Sequence, residues 1–375
     1  MRRQILVVCL CVFAVVLSVI LISAQEVRDK EYPSEAKLPW IPIGSEWTSG
    51  YARGLQIALG YVGPSVDYDT IMGDSGIAFI AQGEEGSTNL YDGAVDVGWW
   101  PLDPFGMNIR LDFLEQTVGR RLDFIPADSD SYKADPAAHY AQRFAPAVKE
   151  SIAQGRPCLA RAGCWFVVSG YDQEEPAILG NCTLVDTREL IRAFEQPTAL
   201  VVLGESCDTM DRKQADLAAL RYAVALHRDQ VLEESDTSAA AQWACSLRDK
   251  EAVGKQWRTG RKTFAAWAAC LRDTEHPGQP YWHSNVVRHL SLNRGSAVRY
   301  LKTMAGRHPE DVATHLNNAA ARYEEVVAAL GKADTSGEAL SSTAGREALA
   351  KLAEQIAVLD SQAIQEIEKA LAAAS

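Results

Sequence analysis

The chain changes character near residue 208, and that break limits the folds open to it. Before it, Gly, Pro and aromatic residues punctuate short apolar runs; after it, Ala, Arg, Glu and Leu recur at helical spacing. In the first part, residues 49–62 read as a helix, with Leu55, Ala58, Leu59 and Val62 on one face and Thr48 or Ser49 as N-cap. Residues 109–118 and 136–153 read as further helices, the second ending at Gly155. Short strands are predicted at 121–125, 158–160, 165–169, 177–179 and 199–203. The β-branched runs Phe166-Val167-Val168 and Leu200-Val201-Val202-Leu203 support buried strands. Helices first, then mostly hairpin-connected strands, imply an α+β domain over residues 25–208.

After the break only helices are expected, at 214–234, 239–250, 259–272, 284–306 and 309–330, with a last one over 337–373. Leu349, Leu352, Ile356, Leu359 and Ile367 form a stripe on that last helix. The polar face opposite is not basic, so the stripe suits core or partner packing rather than a membrane surface. The expected division is an all-helical region over 209–333 and a C-terminal amphipathic helix over 334–375, the latter a candidate for self-association.

The N-terminus sets the compartment. Met1-Arg2-Arg3, an apolar stretch from Ile5 to Ile22 and Ser23-Ala24-Gln25 describe a secretory signal over residues 1–24, cleaved after Ala24. The stretch also just reaches spanning length, so an uncleaved membrane anchor is the competing expectation. Either way the body is exported, periplasmic or extracellular. Without those 24 residues, 35 basic side chains face 49 acidic ones, a net charge of −14. An acidic surface of this kind repels nucleic acid. Six of the eight cysteines lie outside the signal: Cys158, Cys164, Cys182, Cys207, Cys245 and Cys270. Export favours at least one disulfide, with Cys245–Cys270 as the first candidate, because both sit in similar helical contexts. No Cys-x-x-Cys or His-x-x-x-His spacing points to zinc. Asp67-x-Asp69 with Asp74-x-Gly76 lacks calcium-loop spacing and reads as a turn with helix caps. No phosphate loop or dinucleotide fingerprint occurs, and no cofactor is expected. Asn181-Cys182-Thr183 is a glycosylation sequon.

Two motif groups carry a resemblance. The first is Trp47-Thr48-Ser49-Gly50-Tyr51-Ala52-Arg53-Gly54-Leu55-Gln56, continued by Tyr68-Asp69-Thr70-Ile71-Met72-Gly73-Asp74-Ser75-Gly76. The second is Gly155-Arg156-Pro157-Cys158 with Gly163-Cys164-Trp165-Phe166-Val167-Val168-Ser169-Gly170-Tyr171-Asp172. Together with Thr259-Gly260-Arg261 to Trp267 and the stretch from Gly278 to Leu301, they resemble bacterial C39-like and butirosin-H-like papain-fold proteins over roughly residues 40–330. The resemblance implies a cysteine nucleophile capping the first helix and a histidine opening the strand that ends in Gly-Tyr-Asp. This chain has neither: residues 45–51 hold no cysteine, and the histidine position is Cys164. No histidine falls between 140 and 226. Asn181 or Asp172 could serve as an orienting third member, but there is nothing to orient.

Serine could replace the thiol at Ser45 or Ser49, but a hydroxyl needs a general base more than a thiol does, and His139 or His283 would have to supply it from elsewhere. Cys164 as a relocated nucleophile would sit on a strand without a helix dipole. The expectation is therefore a catalytically inactive papain-like protein binding a small molecule, peptide or protein partner. Trp47, Thr48, Ser49, Trp165 and Tyr171 are its candidate cleft residues, with aromatic faces for stacking. The alternatives are a divergent hydrolase or acyltransferase using Ser49 or Ser45 with a histidine supplied by the helical half, and an interaction module acting through its C-terminal helix.

Overall fold

The computed structural model describes residues 32–40, 50–84, 111–162, 164–172, 177–183, 189–193, 195–228, 257–275 and 280–375. The signal or anchor at 1–24, the candidate residues Ser45, Trp47, Thr48 and Ser49, the expected helix at 239–250, and Cys245 lie outside them.

The molecule is α+β, built on a seven-stranded antiparallel sheet. In chain order its strands are β1 (Glu35–Lys37), β3 (Arg120–Pro126), β4 (Cys158–Ala162), β5 (Cys164–Asp172), β6 (Ala177–Cys182), β7 (Ile191–Arg192) and β8 (Ala199–Ser206). Their spatial order is β3-β8-β4-β5-β6-β7. β5 is the organising strand. Its first half pairs with β4, Cys158 opposite Val168 through Ala162 opposite Cys164, and its last three residues pair on the same side with β1. On its other side it pairs with β6. A two-stranded pair, β2 (Gln82–Glu84) with β9 (Trp257–Thr259), stands apart.

Each face of the sheet carries helices because alternate strand residues are apolar on both sides. One face takes α1 (Gly50–Val62), which packs on β4 and β5, and α2 (Tyr68–Asp74), which packs on α1. Asp67 caps α2, accepting from Thr70 N at 3.1 Å, as expected of a turn with helix caps. The seven residues after that cap form a helix rather than a simple turn. α3 (Leu111–Val118) packs on β3. The other face takes a second core around Tyr140, Phe144, Val148, Phe166, Val168 and Tyr171. It lies under α4 (Ser129–Ala134), α5 (Pro136–His139), a π-helical turn over Tyr140–Phe144, and α6 (Ala145–Ala153). Gly155 follows α6 at φ 73°, a left-handed residue that stops the helix where expected.

The C-terminal half is helical: α7 (Arg212–His227), α8 (Arg261–Arg272), α9 (Pro280–Ala305), α10 (Glu310–Leu330), α11 (Gly337–Ser341) and α12 (Thr343–Ala373). The single helix expected over 337–373 is broken at Ser342, whose hydroxyl oxygen caps α12 by accepting from Gly345 N at 3.0 Å. The buried seam of α12 is also rotated from the expected stripe. It runs Leu349, Ala353, Ile356, Asp360, Ala363, Ile367 and Ala370, leaving Leu352 and Leu359 only partly buried. That seam packs against this chain's own α7, α8 and α10. The core does not divide at residue 208. One continuous cluster runs from Tyr51 and Leu55 through Ile71, Val201 and Trp267 to Ile367.

No disulfide joins any two of Cys158, Cys182, Cys207 and Cys270. Three of these four are buried apolar positions in sheet or helix, where a thiol packs as a small hydrophobe. The expected partner of Cys270, Cys245, is outside the described residues. Among the described residues, no helix is long and apolar enough to cross a membrane.

Candidate functional site

The first turn of α1 lies against β5 and the end of β6, and small residues make this approach close. A Cβ on Gly50 would stand 2.7 Å from Thr183 Oγ1 and 3.2 Å from Trp165 Cβ; one on Gly54 would stand 3.0 Å from Leu159 Cδ2. A methyl at Gly50 would displace the Thr183 hydroxyl, and one at Gly54 would press on Leu159. Thr183, just past β6, donates both its backbone N–H and its hydroxyl to Trp165 O, each at 3.0 Å. Tyr51 and Trp165 meet edge-on with centroids 5.3 Å apart, the arrangement that aromatic quadrupoles favour. Tyr51 is fully buried, and Trp165 and Thr183 are 4% and 6% exposed. Among the described residues, an aromatic pair and a threonine pack where the helix start meets the strand start.

Of the sequence candidates, Trp165 sits in this contact. Asn181 is buried and pairs in register with Val167, whose side chain belongs to the α1-side core, so Asn181 faces α1 as well. Cys164 opens β5, with its backbone opposite Ala162. Tyr171 is not a cleft residue. It has the same sequence parity as Trp165, but the β5–β6 register shifts between Val168 and Gly170, so a bulge inserts one residue. A bulge re-aims every side chain beyond it. Tyr171 therefore enters the opposite core, and its hydroxyl donates to Pro33 O at 3.2 Å.

The two histidines that could have served a serine are held elsewhere. His139 lies in the second core, its Nε2 accepting from Asp128 N at 2.9 Å and its ring edge-on to Phe144. Burial, then the Arg143 charge, lowers its pKa. His283 is fully buried, and its Nδ1 accepts from Trp267 Nε1 at 3.2 Å. His289 is held to about 3 by burial and by Arg288, so it is neutral at ordinary pH.

The helical half contains polar clusters that sequence reasoning missed. Asp216, fully buried, accepts from Arg212 Nε (2.9 Å), Arg307 Nη2 (2.8 Å) and His308 Nε2 (3.1 Å). Arg212 also clamps Asp74 through both terminal nitrogens, at 2.8 and 2.7 Å, and Tyr300 donates to the same carboxylate at 2.6 Å. Asp360 accepts from Arg294 Nε at 2.6 Å and contacts His227 Nδ1 at 3.1 Å. Burial alone would raise the Asp360 pKa, but Arg294 and His227 outweigh it and hold the carboxyl below its ordinary value. The signal was present in the sequence. Asp360 falls in phase with Ile356 and Ile367, and Arg294 with Leu290 and Leu301, so each charge lies in an apolar seam.

Ser361 Oγ lies 3.2 Å from His227 Nε2, completing a Ser–His–Asp order. The shorter contact of that hydroxyl is to Ala357 O at 2.7 Å, the back-bond of a helical serine, and the carboxylate is already neutralised by Arg294. This cluster ties the end of α7 to α12 and needs no catalytic role.

Among the described residues no group of His, Cys, Asp and Glu side chains is arranged to hold a metal ion. A scan of the chain against protein-family models finds no match, and a search among curated proteins finds no similar sequence.

Proposed function

We propose that the chain is an exported papain-like protein that has lost cysteine-hydrolase chemistry and binds a ligand or protein partner at the former cleft. The observation carrying this reading is the start of α1 against the starts of β5 and Thr183. By the resemblance a nucleophile would cap α1 and its base would open β5; the described residues beside those two positions, Tyr51, Trp165 and Thr183, pack against one another, which supports the loss of chemistry. A thiolate there would draw on the helix dipole, and a neighbouring histidine would take its proton. The sequence supplies neither group. Tyr51 is fully buried and Trp165 is 4% exposed, so this pair supports the lost chemistry, and the binding role follows from the resemblance. The divergent-hydrolase alternative has less support, since His139 and His283 are committed to Asp128 and Trp267.

Treating the purified full chain with broad serine- and cysteine-reactive probes tests the loss of chemistry. No stoichiometric labelling of Ser45, Ser49 or Cys164 is expected, and labelling of any of them refutes it. Native mass spectrometry tests the binding role. The expected outcome is a co-purifying non-covalent mass that is lost in Trp165→Ala; wild-type protein carrying nothing argues against a ligand-binding cleft.

A further inference from the structure

The segment from Tyr32 to Trp40 crosses the end of β5 as a strap. Its only strand, β1, pairs three residues: Glu35 opposite Asp172, Ala36 opposite Tyr171, Lys37 opposite Gly170. Leu38 N donates to Ser169 O at 2.7 Å. Side-chain hydrogen bonds tie it to its neighbours. Tyr32 donates to Glu150 on α6, Tyr171 donates to Pro33 O, and Tyr61 on α1 donates to Pro39 O. None of the nine strap residues is buried, and only Ala36 and Leu38 touch the second core. The seat beneath is the reverse: Ser169 is fully buried and Tyr171 is 2% exposed. An element held by hydrogen bonds, with almost no buried apolar area, belongs to the low-stability end of a structure.

The seat is shaped for a strand. A Cβ on Gly170 would lie 2.7 Å from Ala36 O, so Gly170 lets a neighbouring backbone approach. Tyr171 offers a hydroxyl to a carbonyl of the incoming chain, and Lys149 lies 5.9 Å above its ring. The Gly170-Tyr171-Asp172 motif thus does a job independent of any cleft chemistry.

We infer that the strap is a detachable strand, and that its seat on β5 is a β-augmentation site which the strap of a second copy of this chain can occupy. Added strands bind through main-chain hydrogen bonds, with specificity from alternate side chains. The sequence best matched to this seat is the strap itself, and exchange of an identical element between protomers is a low-cost route to a dimer. This inference does not rest on the proposed cleft function.

The test uses the full chain with the strap disabled and the seat intact. Ala36→Pro removes the central strap N–H and cannot pair as β1 does. A fluorescent peptide of residues 32–40 should bind Ala36→Pro saturably. It should bind wild type about tenfold or more weakly, because wild type fills its own seat. Adding Gly170→Val to Ala36→Pro should abolish binding. Ala36→Pro mixed with wild type should form a heterodimer by light scattering. Peptide binding without a heterodimer overturns the second-copy occupant. No peptide binding by a variant whose strap is newly cut by protease overturns the augmentation site, and a strap as protease-resistant as wild type's overturns its detachability. Should Ala36→Pro fail to fold, Tyr32→Phe with Leu38→Ala loosens the strap alone and is held to the same outcomes.

Discussion

Trp267→Ala tests whether the two halves of the chain are one cooperative unit. The indole is fully buried in the core cluster that also contains Tyr51 of α1 and Ile367 of α12. Truncating a buried tryptophan costs about 3–5 kcal/mol, the lost transfer energy plus the cavity left behind. His283 Nδ1 also loses its donor, so part of the cost is polar. Trp267→Phe separates the two, keeping most of the ring area while removing the N–H, at about 1–3 kcal/mol. With unfolding entropy of about 2.1 cal/mol/K per residue, a 375-residue unit has about 0.8 kcal/mol/K. A loss of 3–5 kcal/mol then lowers Tm by about 4–6 °C. Denaturant titration followed by far-UV circular dichroism should show one transition displaced as a whole, with an unchanged slope. A second transition that stays at the wild-type midpoint, or a loss below about 1 kcal/mol, would refute the shared core.

Two glycine substitutions on this framework should have opposite signs. Gly73→Ala puts a Cβ 2.4 Å from the Tyr300 ring and should destabilise by about 1–3 kcal/mol or more, whereas Gly60→Ala, in open space on α1, should stabilise by about 0.5–1 kcal/mol; thermal melts of both decide. The folded pKa of His289, about 3, lies below the unfolded value near 6.5. The unfolded chain therefore binds the proton first, and stability falls as pH drops from about 6.5 toward 3. His289→Gln should flatten that part of the pH–stability curve, and an unchanged curve would contradict the buried neutral assignment. Asp360 has a depressed folded pKa, so its contribution is present above the ordinary aspartate value and lost as pH falls below it. The stability gap between wild type and Asp360→Asn should accordingly hold steady above about pH 5 and narrow below about pH 4. Native alkylation should modify the part-exposed Cys207 well before Cys158, whose thiol burial pushes up to about 12. Mass mapping that finds Cys158 first would count against that environment.

Much of the secondary structure was legible because it follows local periodicity. The apolar face of 49–62, the β-branched runs of β5 and β8 and the helices expected at 259–272, 284–306 and 309–330 appear within a few residues of expectation, whereas 239–250 lies outside the described residues and 337–373 is divided at Ser342. Each signal is carried by neighbours in sequence, which share one face of one element. The site was legible only halfway. Trp165 and Asn181 do face α1, as alternation along β5 and register with β6 imply. Tyr171 does not, because a bulge at Ser169 is decided by how β5 pairs with β6; Gly170 permits such a bulge but does not by itself impose one. The same limit explains the charges. Helical phase places Asp216, Arg294 and Asp360 in apolar seams, but it cannot say which cation meets which anion. Pairing is set by helices brought together from opposite ends of the chain: α2 with α7 and α9 through Asp74, α9 with α12 through Arg294. The C-terminal stripe shows the division most plainly. Its sequence determined that α12 must bury one face. Only the tertiary structure decided that α7, α8 and α10 cover it, because burial is non-directional and any apolar surface of matching shape would have satisfied the pattern.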